Sequence, residues 1–392
     1  MVTPVKIVVP VKLLPSPDEA RALGDELNAV NDGANWVSSV AFETGTTREY
    51  ALRKLVYAGL RERGVKSVAA QQLIKKVVDA YTALRANIKA GNLGKEGSKR
   101  RTNAQSKPIV FCDDAAQAYD HRNMGWDIDA QTVAITTMSG RLKGISFICS
   151  PEQLKTLAQH RKGEADLLCK GGTWYLYATC DVPEARQYEP DGFIGVDLGI
   201  INIATTSSGY KAAGRKLNRY RKRQLNLRRK LQKKGTKSAK RLLKKQAGKE
   251  ARRAKDLNHC ISKTIVTTAE RTGHGISLEE LKGIRERVRL RRPQRVALHS
   301  WAFAQLGDFI VYKARRAGVP LVFVDPAYSS RQCAECGHLD RLNRASQAMF
   351  ICRGCGVVAH ADRNASRVLA RRGEAAWDAG RKSHVPATSP RS

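Results

Sequence analysis

Acidic residues are scarce in this sequence: 36 Asp and Glu stand against 70 Lys and Arg, so the formal net charge is +34. A charge of this size repels itself unless a polyanion neutralises it. Nucleic acid is the polyanion that fits, because its phosphates offer dense and regular partners to a basic surface. A basic protein that is merely soluble is the alternative.

Long apolar runs are also missing. No run approaches the roughly 18–20 residues of a membrane span. Residues 1–14 are interrupted by Lys6, Pro10 and Lys12 and lack the continuous apolar core of a signal peptide. We therefore expect a cytoplasmic protein with no membrane partner and no disulfides, and the nine cysteines then indicate metal ligands or buried thiols.

Four of the cysteines form a metal-binding pattern. Cys333 and Cys336 make one Cys-x-x-Cys unit, Cys352 and Cys355 make a second, and a glycine follows each unit. Four thiolates at this spacing can close a tetrahedron around Zn²⁺. Because four protein ligands leave no position for water, we expect one structural zinc. A redox disulfide pair is the alternative.

Three acidic residues lie at the ends of predicted elements in an α/β region. Asp197 ends an apolar strand between glycines, Glu279 follows the apolar strand 275–278, and Asp362 lies at the start of a final helix. Strand alternation directs Glu279 and Glu280 to opposite sides. Such carboxylates could hold two Mg²⁺ ions for phosphodiester hydrolysis. The alternatives are a turn-forming Asp197, a solvated acidic pair and a helix cap at Asp362.

The most basic segment, 215–255, contains twenty Lys or Arg and one acid, Glu250. We expect two helices with a break at Gly235-Thr236, which pack on the α/β core through leucines and face phosphates with the rest. The leucines are Leu225, Leu227, Leu231, Leu242 and Leu243. The predicted nucleic-acid-binding residues are Arg215, Lys216, Arg219, Arg221, Lys222, Arg223, Arg228, Arg229, Lys230, Lys233, Lys234, Lys240, Arg241, Lys244 and Lys245. A solvated charged helix is the alternative.

The sequence resembles the TnpB family in a combination of motifs. In chain order these are GVDLG, a pair of predicted basic helices, SLEEL, YSSRQCAECG, FICRGCG and HADRNAS. TnpB is the transposon-encoded ancestor of type V CRISPR effector nucleases. The resemblance implies a multidomain α+β fold. A β-barrel-like wedge domain with a helical insertion precedes an RNase H-like (RuvC) α/β domain, which contains a zinc ribbon.

The resemblance also implies domain boundaries. Residues 1–14 would form the first strand of the wedge domain, 15–107 a helical recognition domain and 108–187 the rest of the wedge domain. Residues 188–332 would form the RuvC domain, with a basic helical insertion at 215–256. A zinc ribbon that binds target nucleic acid would follow at 333–356, then the last RuvC motif at 357–372 and a flexible tail at 373–392.

The function implied by the resemblance is RNA-guided, Mg²⁺-dependent cleavage of DNA beside a short flanking motif. Asp197, Glu279 and Asp362 match the family's catalytic carboxylates, although Glu280 stands where the family more often has Asp. The partners would be a guide RNA and target DNA, with one chain per RNA complex on prokaryotic nucleoid DNA and no small-molecule substrate. A guided DNA-binding protein without cleavage, a miniature type V CRISPR effector and a guide-free nuclease or transposase remain alternatives.

Overall fold

The structure is a computed structural model that describes residues 4–280 and 303–383. The chain folds as two compact units, one of Lys6–Val182 and one that contains the described residues from Pro183 onward. The sequence also predicts a helix over 300–317; its start and the last residues of the expected tail lie outside the described residues. No helix in the described ranges is both long and apolar enough to cross a membrane.

The first unit combines a seven-stranded sheet with five helices. Its strands are β1 (Val5–Leu14), β2 (Gln117–Tyr119), β3 (Met124–Asp127), β4 (Thr132–Thr137), β5 (Gly140–Ile148), β6 (Arg161–Lys170) and β7 (Thr173–Val182). Its helices are α1 (Pro17–Glu43), α2 (Glu49–Glu62), α3 (Ser67–Lys89), α4 (Lys99–Gln105) and α5 (Pro151–His160). Ser16 caps α1, with Glu19 completing a capping box.

The seven strands curl toward a barrel. Their order is β2-β6-β7-β1-β5-β4-β3, and the two edge strands β2 and β3 are separated in the chain only by the turn 120–123. Side chains on β7 alternate, so that Trp174, Leu176, Ala178 and Cys180 enter the core. The predicted mixed α and β architecture with a near-barrel sheet is confirmed at this level. The sequence pattern of 108–182 predicts short strands, and the segment after Ser150 forms α5 instead.

The second unit is built on a five-stranded mixed sheet and a small hairpin. The strands are β8 (Phe193–Asp197), β9 (Asn202–Thr206), β10 (Lys211–Ala213), β11 (Gly275–Glu279) and β12 (Leu321–Val324), and the hairpin consists of β13 (Met349–Ile351) and β14 (Val358–His360). The helices are α6 (Arg215–Lys234), α7 (Lys237–Gln246), α8 (Lys249–Arg271), α9 (Phe303–Ala317) and α10 (Ala361–Ser383). The sheet order is β10-β9-β8-β11-β12, with β8, β11 and β12 parallel.

Helix α10 lies directly on β8 because Gly195 has no side chain. A Cβ atom at Gly195 would stand 1.9 Å from the Ser366 carbonyl oxygen, a backbone atom that cannot give way. The helix also continues to Ser383, so the expectation of a flexible tail from residue 373 is wrong for the described part. Trp377 explains the extension, since its ring lies 5.9 Å from that of Phe193 and its Nε1 donates to Glu189.

The basic segment forms three helices rather than two. The predicted break is confirmed: Gly235 takes a left-handed φ of 65° and Thr236 caps α7. A second left-handed glycine, Gly248 (φ 76°), separates α7 from α8. The expected packing of five leucines on the core is wrong, since the core of this unit takes Leu217 and none of those five. Leu217 lies in the first turn of α6, and the predicted leucines lie further along α6 or on α7, beyond the part of α6 that contacts the core.

Candidate active site and metal centre

Asp197 and Glu279 lie side by side at the ends of two parallel strands. Strands β8 and β11 pair in parallel with Val196 opposite Leu278, so the next residue of each strand leaves the sheet at the same edge. The two carboxyl groups are within hydrogen-bonding contact. Glu280 points away: it is exposed, and its N–H donates to the Val324 carbonyl.

Burial and like charge make this pair hard to ionise. Burial raises the pKa of Asp197, and the charge of Asp362 raises it further although the hydrogen bond with Glu279 opposes the rise. Burial raises the pKa of Glu279 well above its ordinary value, and the neighbouring charge of Asp197 adds to this. The pair must therefore share a proton or meet a cation.

Asp362 reaches the same site from the second residue of α10. One carboxylate oxygen, Oδ2, accepts a hydrogen bond of 2.6 Å from Asn202 Nδ2. The other, Oδ1, lies 3.8 Å from Arg344 Nη2. Neither Asn202 nor Arg344 was predicted to belong to the site. The position of Asn202, at the start of the strand after Asp197, is a signal that could have suggested it.

The four predicted cysteines come together in a compact cluster. Within the described ranges, they form the one group of three or more potential ligands whose atoms all lie within 4.8 Å of one another. The Sγ atoms of Cys333 and Cys355 are 3.8 Å apart, and those of Cys336 and Cys352 are 3.6 Å apart. Such a cluster could bind a metal ion. The oxygen atoms of the three carboxylates do not all lie within the same 4.8 Å of one another.

Two matching backbone turns build the cysteine cluster. The N–H of Cys333 donates to His338 O and the N–H of Cys352 donates to Val357 O, each at 2.9 Å. The glycine after each unit takes a φ of 76°. Backbone N–H groups point at the sulfurs, and the N–H of Cys355, with help from that of Gly354, lowers the pKa of Cys352 to about 6. The second turn thus favours the thiolate of Cys352, the form that binds metal, whereas hydrogen bonds with the other cysteines raise the pKa of Cys355 to about 12.

Helix α10 connects the cysteine cluster to the carboxylates. Asn364 lies two residues after Asp362, and its amide bonds both backbone groups of the first cysteine turn: Oδ1 accepts from Ala334 N at 2.9 Å and Nδ2 donates to Gln332 O at 2.7 Å. Arg367, one turn further, forms an ion pair with Glu335. The cluster therefore fixes the first turn of the helix that carries Asp362.

The basic helices expose nearly all of the predicted nucleic-acid-binding residues. Fourteen of the fifteen are exposed on α6 and α7. Arg221 is the exception and corrects the prediction, since its side chain is 12% exposed and its Nε lies 3.3 Å from Glu250 Oε1. Glu250, the lone acid of the segment, attracts Arg221 inward. Arg221 thus joins α6 to α8 instead of facing a ligand.

The carboxylates fit a divalent cation. Asp197, Glu279 and Asp362 offer only oxygen ligands, which suit Mg²⁺. Burial is the largest cause of the raised pKa values of Asp197 and Glu279, and the charge of Arg344 offsets only part of the rise at Asp197. Arg344, at 3.8 Å from Asp362, is beyond hydrogen-bonding distance. A bound cation would supply the missing positive charge.

Two family models match the chain, and each covers part of the site. One, described as "Probable transposase" (OrfB_IS605), matches residues 177–282, a range that includes Asp197 and Glu279. The other, described as "Cas12f1-like, TNB domain", matches residues 303–369, which include the four cysteines and Asp362.

Curated relatives agree with these matches. The chain is 32% identical over 215 residues to a "CRISPR-associated endodeoxyribonuclease Cas12f1" of Sulfoacidibacillus thermotolerans, covering 50% of each chain. It is 34% identical over 118 residues to a "TnpB-like protein" of Methanocaldococcus jannaschii, 30% of this chain and 42% of the relative. It is 28% identical over 230 residues to "Putative RNA-guided DNA endonuclease InsQ" of Escherichia coli (strain K12), and the match covers 53% of this chain and 56% of the relative. The chain thus spans about half the length of these relatives, and the resemblance drawn from its motifs is confirmed.

The crowded carboxylates predict an unusual pH dependence of stability. The folded pair keeps a proton at pH values where free carboxyl groups lose theirs, so stability falls as pH rises above about 4. Glu279→Gln should therefore stabilise the protein at pH 7 in magnesium-free buffer, because glutamine keeps the shape of the side chain and removes a carboxyl group whose ionisation is opposed by burial and by the charge of Asp197. The gain should disappear near pH 4. Thermal unfolding across this range measures it.

Glu280→Gln is the matched control, because Glu280 is the exposed neighbour. It should leave the pH dependence unchanged. Equal stability of Glu279→Gln and the natural protein at pH 7 would show that Glu279 is not electrostatically crowded.

Proposed function

We propose that this chain, a member of the TnpB family, is an RNA-guided DNA endonuclease that hydrolyses phosphodiester bonds with divalent cations held by Asp197, Glu279 and Asp362. The observation that carries the proposal is the close approach of the partly buried carboxyl groups of Asp197 and Glu279, to which α10 adds Asp362. The printed names of the Cas12f1 and InsQ relatives support DNA cleavage, and the InsQ name supports an RNA guide.

The protein's own part in the reaction is to hold charge in a fixed arrangement. Asp197 and Glu279 project from rigid strands, and Asp362 is fixed by Asn202 and by the first turn of α10. Bound there, Mg²⁺ would activate a water molecule and neutralise the leaving oxygen of the phosphodiester. The high pKa of Glu279 means that protons compete with the cation for these oxygens.

The proposed domains follow the two units. The seven-stranded sheet would be the wedge domain and α1–α4 its recognition insertion, while the five-stranded sheet with α10 would be an RNase H-like RuvC domain. The cysteine cluster would be a zinc ribbon that binds target nucleic acid. Three antiparallel strands followed by two parallel ones support the RuvC assignment.

The basic helices would bind the guide RNA or its duplex with the target strand. The exposed Lys and Arg of α6 and α7 are nearly all of one sign, so like charges stand at adjacent turns of each helix. Phosphates would relieve this repulsion. α6 follows β10 directly, which keeps the basic surface in the unit that carries the carboxylates.

Loss of any of the three carboxylates should abolish cleavage. The protein is expressed with its native locus, the copurifying RNA is sequenced, and matched double-stranded DNA is offered with Mg²⁺. Asp197→Ala, Glu279→Ala and Asp362→Ala should each reduce the cleavage rate by at least about 10²-fold, the upper end of the loss for residues that merely orient ligands. Target binding should persist, because these residues would hold cations rather than the duplex.

Glu280→Ala serves as the control for this series and should cut normally. A Glu279→Ala protein that cuts while Glu280→Ala does not would contradict the assigned register. Normal cutting by all three carboxylate variants would contradict the proposed function.

The second expectation is about one zinc per chain, held by Cys333, Cys336, Cys352 and Cys355. Cys352→Ser should lower the zinc content measured by elemental analysis. It should also reduce cleavage, because the cysteine turns fix α10 through Asn364. Cys260→Ser, at an exposed cysteine outside the cluster, is the control and should change neither. Active protein without zinc would contradict the assignment.

The third expectation concerns the basic helices. Replacing Arg228, Arg229, Lys233 and Lys234 with Gln should weaken RNA binding and flatten its dependence on salt by roughly 0.7–0.9 log units per lost phosphate contact. Zinc content should not change. Arg221→Gln, in which the lost charge faces Glu250, should instead lower stability and keep the salt slope. An unchanged slope in the fourfold variant would mean that these charges face only water.

A further inference from the structure

Asp362 occupies a position that does not by itself fix its carboxylate. It is the second residue of α10, in the first turn of the helix. Its backbone N–H donates to His360 Nδ1 at 3.3 Å, which orients the main chain but not the carboxylate. The charge of Asp362 adds to the effect of burial in raising the pKa of Asp197 across the site, so repulsion between the two carboxylates favours their separation.

Asn202 opposes this separation. Within the described ranges, it is the one side chain that hydrogen-bonds the Asp362 carboxylate, through Nδ2 to Oδ2 at 2.6 Å. Arg344, at 3.8 Å, is too distant to set its direction. Asn202 is 8% exposed, so its amide has little access to water as an alternative partner.

The backbone around Asn202 is fixed from both sides. A Cβ atom at Gly199 would stand 2.7 Å from the Asn202 carbonyl oxygen, so the loop after Asp197 closes tightly on Asn202. The N–H of Gly214 donates to Ile201 O at 2.8 Å, and Asn218 Nδ2 donates to Ile200 O at 2.9 Å. Asn202 therefore joins the loop that follows Asp197 to the helix that carries Asp362.

An amide suits this task better than a cation would. It occupies one acceptor site of one oxygen and leaves the negative charge of Asp362 and its remaining lone pairs available. Resting on the proposed function, we propose that Asn202 is a positioning residue of the cation site: it holds Asp362 toward Asp197 and Glu279 without neutralising it. Residues that orient metal ligands in this way commonly change metal affinity by 10–100-fold when they are lost.

Two substitutions separate positioning from simple space filling. Asn202→Leu keeps the volume and removes the donor, whereas Asn202→Ser leaves a small void and keeps a donor. Binding of Mn²⁺, a probe for Mg²⁺ on oxygen ligands, is measured by electron paramagnetic resonance on the full-length chain freed of nucleic acid. Positioning predicts an affinity about 10–100-fold weaker in Asn202→Leu and near the natural value in Asn202→Ser. Space filling predicts the reverse order, which would overturn the inference.

Asn92→Leu is the matched control, since it makes the same substitution at an exposed asparagine of the first unit, whose amide donates to Asn87 Oδ1. It should bind Mn²⁺ normally. In cleavage with the copurified RNA, high Mg²⁺ should rescue Asn202→Leu but not Asp362→Ala. If Asp362→Ala weakens Mn²⁺ binding and Asn202→Leu does not, the inference alone fails. If Asp362→Ala also binds Mn²⁺ normally, the proposed function fails with it.

Discussion

Two buried carboxyl groups, Asp197 and Glu279, meet at the ends of parallel strands, and much of the second unit is arranged around their repulsion. Parallel pairing of β8 with β11 forces the contact, because neighbouring strands end at the same edge. Gly195 allows α10 to lie on β8 and bring a third carboxylate, Asp362. Such crowding costs stability unless a cation or a proton offsets it. We propose that a bound cation offsets this cost.

The cysteine cluster lies outside the sheet and helps to hold α10, the helix that carries Asp362, in place. Its first turn is bonded by Asn364, and Arg367 pairs with Glu335 on the same turn, so α10 is fixed at the end that carries Asp362. The far end of the helix is fixed by Trp377 against Phe193. The position of Asp362 therefore depends on contacts at both ends of α10. A structural metal and a catalytic one would thus be coupled through one helix.

Local pattern was enough to predict part of this structure. An apolar strand that ends in Asp197, two Cys-x-x-Cys units and the glycine break at Gly235 each depend on neighbours in sequence. Contacts between distant residues were not predictable in this way. Asn202 meets Asp362 across 160 positions, and Arg221 turns inward because tertiary packing brings Glu250 to it. The length of α10 was missed for the same reason, since Trp377 is held by residues of β8 and the segment before it.

The position of the bound divalent cation is the most direct point to test. Crystals of the protein grown with Mn²⁺ would locate that ion by anomalous scattering. We expect a peak coordinated by carboxylate oxygens of Asp197 and Glu279 within about 2.0–2.6 Å, the range of such bonds to hard cations, with Asp362 turned to the same ion or to a second one beside it. Manganese peaks at other surface carboxylates, with none between Asp197 and Glu279, would contradict it.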